Sequence, residues 1–279
     1  MEYVNCIICH SENNLVEQNV IDRFNQKDSY NIVKCECGMR FLNPRVSIDE
    51  ISKYYQHSSY QPHYKNNSLV NLMYRIAQLF NNRFKLKIIK RFYKKGSLLD
   101  YGAGDGQFAN FMTKKKWNSK IYEPLLENPS RLNLNKDEIN SCSFDVITMF
   151  HSLEHIHNIQ ETLENLYELL NQNGILIVSV PNHDAYERRF LKSKWIAYDA
   201  PRHLYHFDYK TIKLFLNKNK FDVVMAKSMY LDTFYNILMS LNKDIFLFLK
   251  FISIAIVSIF SIVWNKQHSS SILLVCKKR

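Results

Sequence analysis

At 279 residues, 46% of them hydrophobic, the chain is long enough for one substantial α/β domain and a small appendage. Six cysteines, four of them crowded near the N-terminus in two close pairs, exclude a disulfide framework, and Met1 to His10 lacks the apolar run of a signal peptide, so a reducing cytoplasmic location is expected. The net charge of +11 is local: residues 71–120 hold 12 basic and two acidic side chains, while the flanking regions are nearly neutral. That excludes a chain that is cationic throughout and leaves two readings of the basic stretch, an anionic partner or a solvated helix face.

Cys6-Ile-Ile-Cys9 and Cys35-Glu-Cys37-Gly38 come first in chain order. Two thiol pairs on separate turns converge readily on one tetrahedral zinc, and a module this small needs a metal to make up for a thin core. Cys6, Cys9, Cys35 and Cys37 are therefore the expected ligands of a structural Zn2+. The second pair is one residue closer than the common Cys-x-x-Cys, so three alternatives stay open: His10 as a replacement ligand, a ribbon without metal, or a redox pair. From Leu69 to Phe92 a helix is expected. Its apolar stripe (Leu69, Met73, Ile76, Phe80, Phe84, Ile88, Phe92) lies beside Arg75, Arg83, Lys87, Lys90 and Arg91, a pattern suited to an anionic membrane surface or to packing on a sheet.

Leu98-Leu-Asp-Tyr-Gly-Ala-Gly-Asp-Gly106 is an apolar strand end running into a glycine-rich turn, with a helix following from Gln107. Such a turn lets backbone N–H groups approach a ligand, and the helix N-terminus favours negative charge there. Glu123 closes the next short strand, where a carboxylate suits the two hydroxyls of a ribose. Phe144 to Phe150 is a further apolar strand ending in His151-Ser-Leu-Glu-His155. A helix from Gln160 to Leu170, a turn at Asn173-Gly174 and an apolar strand from Ile175 to Val180 follow. Only 20 residues separate Glu123 from Phe144, so any helix and strand between them are expected to be trimmed; Pro124 and Pro129 shorten that helix, and Asp137 and Glu138 are the acids nearest the following strand.

The Asp-x-Gly-x-Gly-x-Gly turn, the acid after it and the Phe-Asp strand with its Leu-Glu-His turn resemble the class I S-adenosylmethionine (SAM)-dependent methyltransferases. The cysteine pairs, Asn43-Pro44-Arg45, Tyr54-Tyr55 and the string Pro181-Asn182, Arg188-Arg189-Phe190, Lys194-Trp195 and Pro201-Arg-His-Leu-Tyr-His-Phe207 resemble the bacterial members that carry an N-terminal zinc ribbon. The resemblance implies a Rossmann-like class I methyltransferase sheet, an N-terminal zinc-ribbon-like module and a helical insert before the last strand. The expected divisions are 1–45 for the ribbon, 46–95 for a helical linker with the basic helix, and 96–279 for the methyltransferase domain, with 182–207 as a lid and 236–268 as an apolar helical insert.

SAM binding is expected at Asp100, Gly102, Gly104, Gly106 and Glu123, completed by Phe150 and His151 at the end of the fourth strand. Candidates for acceptor chemistry are His151, His155, His203, Tyr198 and Arg202: histidines near neutral pH are natural bases, and Arg202 suits a phosphate or carboxylate. The competing reading gives these residues capping and packing roles. Asp208 is an N-cap for a helix from Tyr209 to Asn217, and the last strands are Phe221 to Ala226 and Ser271 to Cys276. Ile245 to Trp264 has the length of a membrane span, but a crossing would part these two strands of one sheet, so a hairpin or lid helix is expected.

The expected partner is a small-molecule methyl acceptor, a sugar, glycan or lipid-linked precursor, with an anionic membrane surface (the inner face) as a second partner. Nucleic acid is not expected, because the ribbon itself is neutral to slightly acidic. The alternatives are a zinc-ribbon RNA methyltransferase, and a non-catalytic membrane-associated scaffold with a degenerate SAM site.

Overall fold

The computed structural model describes residues 1–55, 69–124, 132–241 and 247–279. At the N-terminus β1 (Asn14–Ile21), β2 (Ser29–Cys35) and β3 (Arg40–Leu42) form an antiparallel meander. Gly38, at φ 92°, makes the tight turn between β2 and β3 that its sequence position suggests.

Helix α1 (Leu69–Ile89) leads into β4 (Ser97–Tyr101), α2 (Gln107–Lys114), β5 (Asn118–Tyr122), α3 (Lys136–Asn140), β6 (Phe144–Phe150), α4 (Ile159–Leu169) and β7 (Leu170–Pro181). The four strands β4 to β7 run parallel. Helices cover both of their faces, which is why Leu98, Leu99, Val146, Ile147 and Ile175 to Val178 read as continuous apolar runs rather than alternating ones. After α5 (Arg188–Leu191), β8 (Tyr205–His206) and α6 (Tyr209–Lys218), the strands β9 (Phe221–Ser228) and β10 (Ser271–Lys278) complete a six-stranded sheet of order β5-β4-β6-β7-β10-β9, with β10 antiparallel to both neighbours. Between β9 and β10 stand α7 (Tyr230–Leu241) and α8 (Leu247–Trp264), packed on each other.

Among the described residues the edge beyond β5 is reduced to one parallel bridge, Asn133 to Ile121, in keeping with the short spacing; other expectations are corrected. The chain then turns at once into α3, whose N-cap Asn135 is locked in a capping box with Glu138. Glu138 therefore serves the cap, and the expected breaker Pro129 lies outside the described residues. Asn173-Gly174 does not separate α4 from the next strand. The strand begins at Leu170, paired with Phe144, and a register shift takes up the residues before Ile175.

Helix α1 divides its stripe. Leu86, Ile88 and Ile89 pack against Phe108 and Met112, whereas Ile76 and Phe80 are exposed. The side chains of Leu69, Met73 and Arg75 lie outside the described residues.

The 182–207 segment is no free-standing lid. Its Tyr205–His206 strand pairs with β3 and becomes the fourth strand of the ribbon sheet, so the expected boundary at residue 45 does not separate two units. Trp195, Tyr198 and Ala200 pack with Val20, Tyr30, Ile32 and Leu42 in one apolar cluster. Among the described residues, no helix is long and apolar enough to cross a membrane. Of the expected apolar stretch, 245–246 lie outside those residues and the rest is α8.

Candidate functional site

The glycine turn joins β4 to α2. Gly102, Gly104 and Gly106 have φ values of 71°, 55° and 71°, the left-handed region that side chains resist. They differ in what surrounds them. A Cβ at Gly102 would stand 2.4 Å from the Ser152 Cβ, and one at Gly106 would stand 3.3 Å from Ile121 Cδ1. At Gly104 no described residue lies within 4 Å of such a Cβ, so a side chain there would project into open space beside the turn and Glu123. The Gly104 N–H donates to Glu123 Oε2 at 2.9 Å, bringing together the turn and the acid expected to serve a ribose. Asp100 is buried behind the turn, accepts the Thr148 hydroxyl at 2.7 Å, and is pushed by burial to a pKa of about 6. These groups fit SAM: a backbone cradle, a ribose-directed acid and an adjoining aromatic ring at Phe150.

Two residues at this end of the sheet were not singled out in the sequence. Lys85 of α1 holds its ammonium 3.7 Å from the centre of the Phe150 ring and 5.4 Å from that of Phe108; burial lowers its pKa, against the pull of Asp100 and Asp232. Asp232 of α7 meets His151 at 3.2 Å. Neither residue has a local motif, since each reaches the site only through tertiary packing.

His151 has a positive φ of 53°, and its N–H is tied to Ser179 O at the end of β7. Its neighbour Ser152 contacts Gly102 and donates to Tyr101 O at 2.9 Å, so the β6 terminus closes directly on the glycine turn. Burial opposes protonation of the His151 ring, but Asp232 and Glu154, the latter 3.5 Å from Nδ1, raise its pKa to about 9.

His155 and His203 stand together, ring centres 4.5 Å apart and nearly perpendicular. Burial, reinforced by His203, lowers His155 to about 4. Tyr198 and Arg202 are engaged elsewhere than expected. The Tyr198 hydroxyl donates to Gln18 Oε1 at 2.9 Å, and its ring packs edge-on against Trp195. The Arg202 guanidinium, 1% exposed, meets Asp199 at 2.9 Å and Asp22 at 3.3 Å. Both side chains bind the ribbon to the insert, because Gln18 of β1 and Asp22 in the loop after it lie against this segment and offer it amide and carboxylate partners. Arg202 thus has protein carboxylates where an acceptor's anionic group was expected.

The four N-terminal cysteines converge. Cys6 and Cys37 sulfurs are 3.4 Å apart, those of Cys9 and Cys35 3.3 Å, and all four lie within 4.8 Å of one another as free thiols. Zinc–sulfur bonds of about 2.3 Å in a tetrahedron need sulfurs about 3.8 Å apart, so the donor set fits Zn2+. His10 is exposed and stands outside this cluster.

The ubiquinone biosynthesis O-methyltransferases of two Rickettsia bellii strains, OSU 85-389 and RML369-C, are each 26% identical over 127 residues, 39% of this chain and 53% of theirs. The chain spans about half the length of the curated relatives it matches. Among solved structures, the 1,6-didemethyltoxoflavin-N1-methyltransferase of Burkholderia thailandensis, bound to 1,6-didemethyltoxoflavin and S-adenosylhomocysteine, aligns with a TM-score of 0.51 at 14% identity over 89% of this chain and 95% of that one. This likeness is one of fold. A family model for the methyltransferase domain matches residues 73–226, more than half of the chain and the stretch that holds the glycine turn, Glu123 and His151. On that match the chain belongs to the methyltransferase-domain family, and with its parallel sheet and structural neighbour it has the class I SAM-dependent methyltransferase fold.

Proposed function

We propose that this protein transfers a methyl group from SAM to a small-molecule acceptor, a sugar, glycan or lipid-linked precursor. The observation that carries the reading is the open cradle at Gly104 beside Glu123, at the carboxyl end of the parallel strands. SAM supplies the electrophilic methyl group. The chain's own part is positioning, worth roughly 7–11 kcal/mol in a well-aligned transfer. Glu123 would hold the ribose, Asp100 would brace the turn, and Phe150 with Lys85 would wall the cofactor. His151, fixed between Asp232 and Glu154, would face the acceptor as its polar contact.

A lipid-linked acceptor is favoured by α7 and α8. Asp232 on α7 reaches the site, while Phe234, Leu238, Ile256, Phe260, Val263 and Trp264 of the two helices expose apolar surface, Trp264 at 93%. Large apolar side chains exposed together on one pair of packed helices mark an interaction surface. Docking at a membrane surface would cover it and bring the site to a membrane-held substrate. The four-cysteine cluster is assigned to a structural Zn2+, its four thiolates leaving no coordination position for chemistry.

Calorimetry of SAM and S-adenosylhomocysteine with the zinc-loaded protein tests the cofactor reading. Binding that Gly104→Arg abolishes is expected; no binding by the wild type would overturn the reading in favour of a scaffold. Sedimentation with anionic vesicles tests the surface: a Phe260→Ser/Trp264→Ser variant should remain in solution where the wild type pellets.

A further inference from the structure

We propose that Glu154, His155 and His203 form a binding site for a divalent first-row transition cation, in addition to the four-cysteine cluster. One ligand atom of each residue lies within 4.8 Å of those of the other two. Glu154 and His155 come from the turn after β6, His203 from the insert before β8. A backbone hydrogen bond from Leu204 N to Glu154 O at 2.8 Å ties the two segments together.

The decisive group is Glu154. Its side chain is fully buried, yet among the described residues neither carboxylate oxygen has a hydrogen-bond partner. His151 Nδ1 stands 3.5 Å from Oε1 and pairs with it as an ion pair, which leaves Oε2 without a partner among the described residues. Leaving a carboxylate oxygen dry in the interior is costly, and buried carboxylates are normally paired, hydrogen-bonded or bound to metal. A cation held among Glu154, His155 and His203 would supply Oε2 with that partner.

The tautomers of both imidazoles suit it. His155 Nδ1 lies 3.0 Å from Arg202 O and 3.0 Å from the Tyr55 hydroxyl, and His203 Nδ1 lies 2.8 Å from Ala197 O. A carbonyl can only accept, so each Nδ1 carries the proton and each Nε2 keeps its lone pair. Metal-binding histidines are held in this way, with the outer nitrogen on a backbone carbonyl. The other group facing His203 Nε2 is Asp199, at 4.0 Å, beyond hydrogen-bonding reach.

Two imidazole nitrogens and one carboxylate are the donors preferred by Zn2+, Co2+, Mn2+ and Fe2+, whereas Ca2+ and Mg2+ prefer sites built wholly of oxygen. Three protein ligands also leave coordination open for water or an acceptor oxygen, unlike the closed set of four thiols. The site is independent of the methyl-transfer reading, because its binding is measured without turnover.

The test is a Co2+ titration of protein whose cysteine site already holds Zn2+, followed by visible absorption and by metal analysis after desalting. The wild type should take up one further equivalent, giving weak d–d bands without sulfur-to-cobalt charge transfer. Glu154→Gln and His203→Gln should each weaken that uptake by at least about 100-fold while retaining the cysteine-bound Zn2+. Absence of a second equivalent in the wild type would overturn the proposal even if both variants failed to fold. Equal uptake by folded Glu154→Gln would overturn it too.

Discussion

The Gly104 N–H donates to the Glu123 carboxylate across 2.9 Å, so the turn after β4 and the end of β5 are joined at the point where a ribose is expected. The neighbouring glycine serves a different purpose, because at Gly102 the Ser152 side chain already occupies the space of a Cβ. Substitutions at the two positions should therefore separate binding from stability. Gly102→Ala should cost about 2–4 kcal/mol through the clash and the left-handed backbone. Gly104→Arg should leave the denaturation midpoint close to wild type and lower SAM affinity by at least about 100-fold, or roughly 2.7 kcal/mol. Urea melts paired with calorimetry read both effects.

Arg202 provides a second separation. Its guanidinium is buried between Asp22 and Asp199, so removing it leaves two carboxylates without their shared partner. Arg202→Ala should destabilise the protein by about 3–5 kcal/mol, as loss of one member of a buried ion pair does. A variant with a wild-type melting curve and a raised KM for the acceptor would return Arg202 to the substrate.

Much of the cofactor end was legible because its signals are local. The glycines sit at alternate turn positions, Phe144 to Phe150 is mostly apolar because helices cover both faces, and Asp208 with Thr211 forms a capping box on α6 as the Asp-x-x-Thr spacing allows. The seam between ribbon and sheet was not legible. A strand of two residues, Tyr205 and His206, carries no periodicity, and its partner β3 lies far away in sequence. The same holds for Lys85 and Asp232, which ordinary helical patterns place on α1 and α7 and which only packing turns toward Phe150 and His151. Tyr198 and Arg202 were read as chemistry because polar groups in an aromatic insert resemble a pocket lining; their partners on β1 and in the loop after it could not be seen from the local string.

Metal removal should spread beyond the ribbon. The Cys35 to Met39 turn orients β3, β3 pairs with β8, and Arg45 donates to the Tyr205 hydroxyl at 2.8 Å. Because structural zinc in such modules contributes on the order of 10 kcal/mol, chelation or Cys35→Ser should release both the ribbon and the 205–206 strand. Amide exchange at Phe41 and Tyr205 should accelerate together on chelation while that of β6 stays slow. Exchange confined to residues before Phe41 would show that the shared sheet is held without metal.

Glu187 should impose a pH dependence on stability. Its carboxyl is fully buried, accepts the Ser270 hydroxyl, and is raised by burial from 4.5 to about 7. The fold therefore favours the protonated form. That contribution is complete below the unfolded value of 4.5 and is lost as pH rises through about 7, amounting to about 3 kcal/mol at pH 8. Glu187→Gln keeps an acceptor for Ser270 but cannot ionise, so it should match the wild type at pH 4.5 and exceed it at pH 8. Denaturant midpoints at the two pH values give the comparison. An equal offset at both would mean that Glu187 is ionised across the whole range, with its charge balanced by a neighbour such as Arg188.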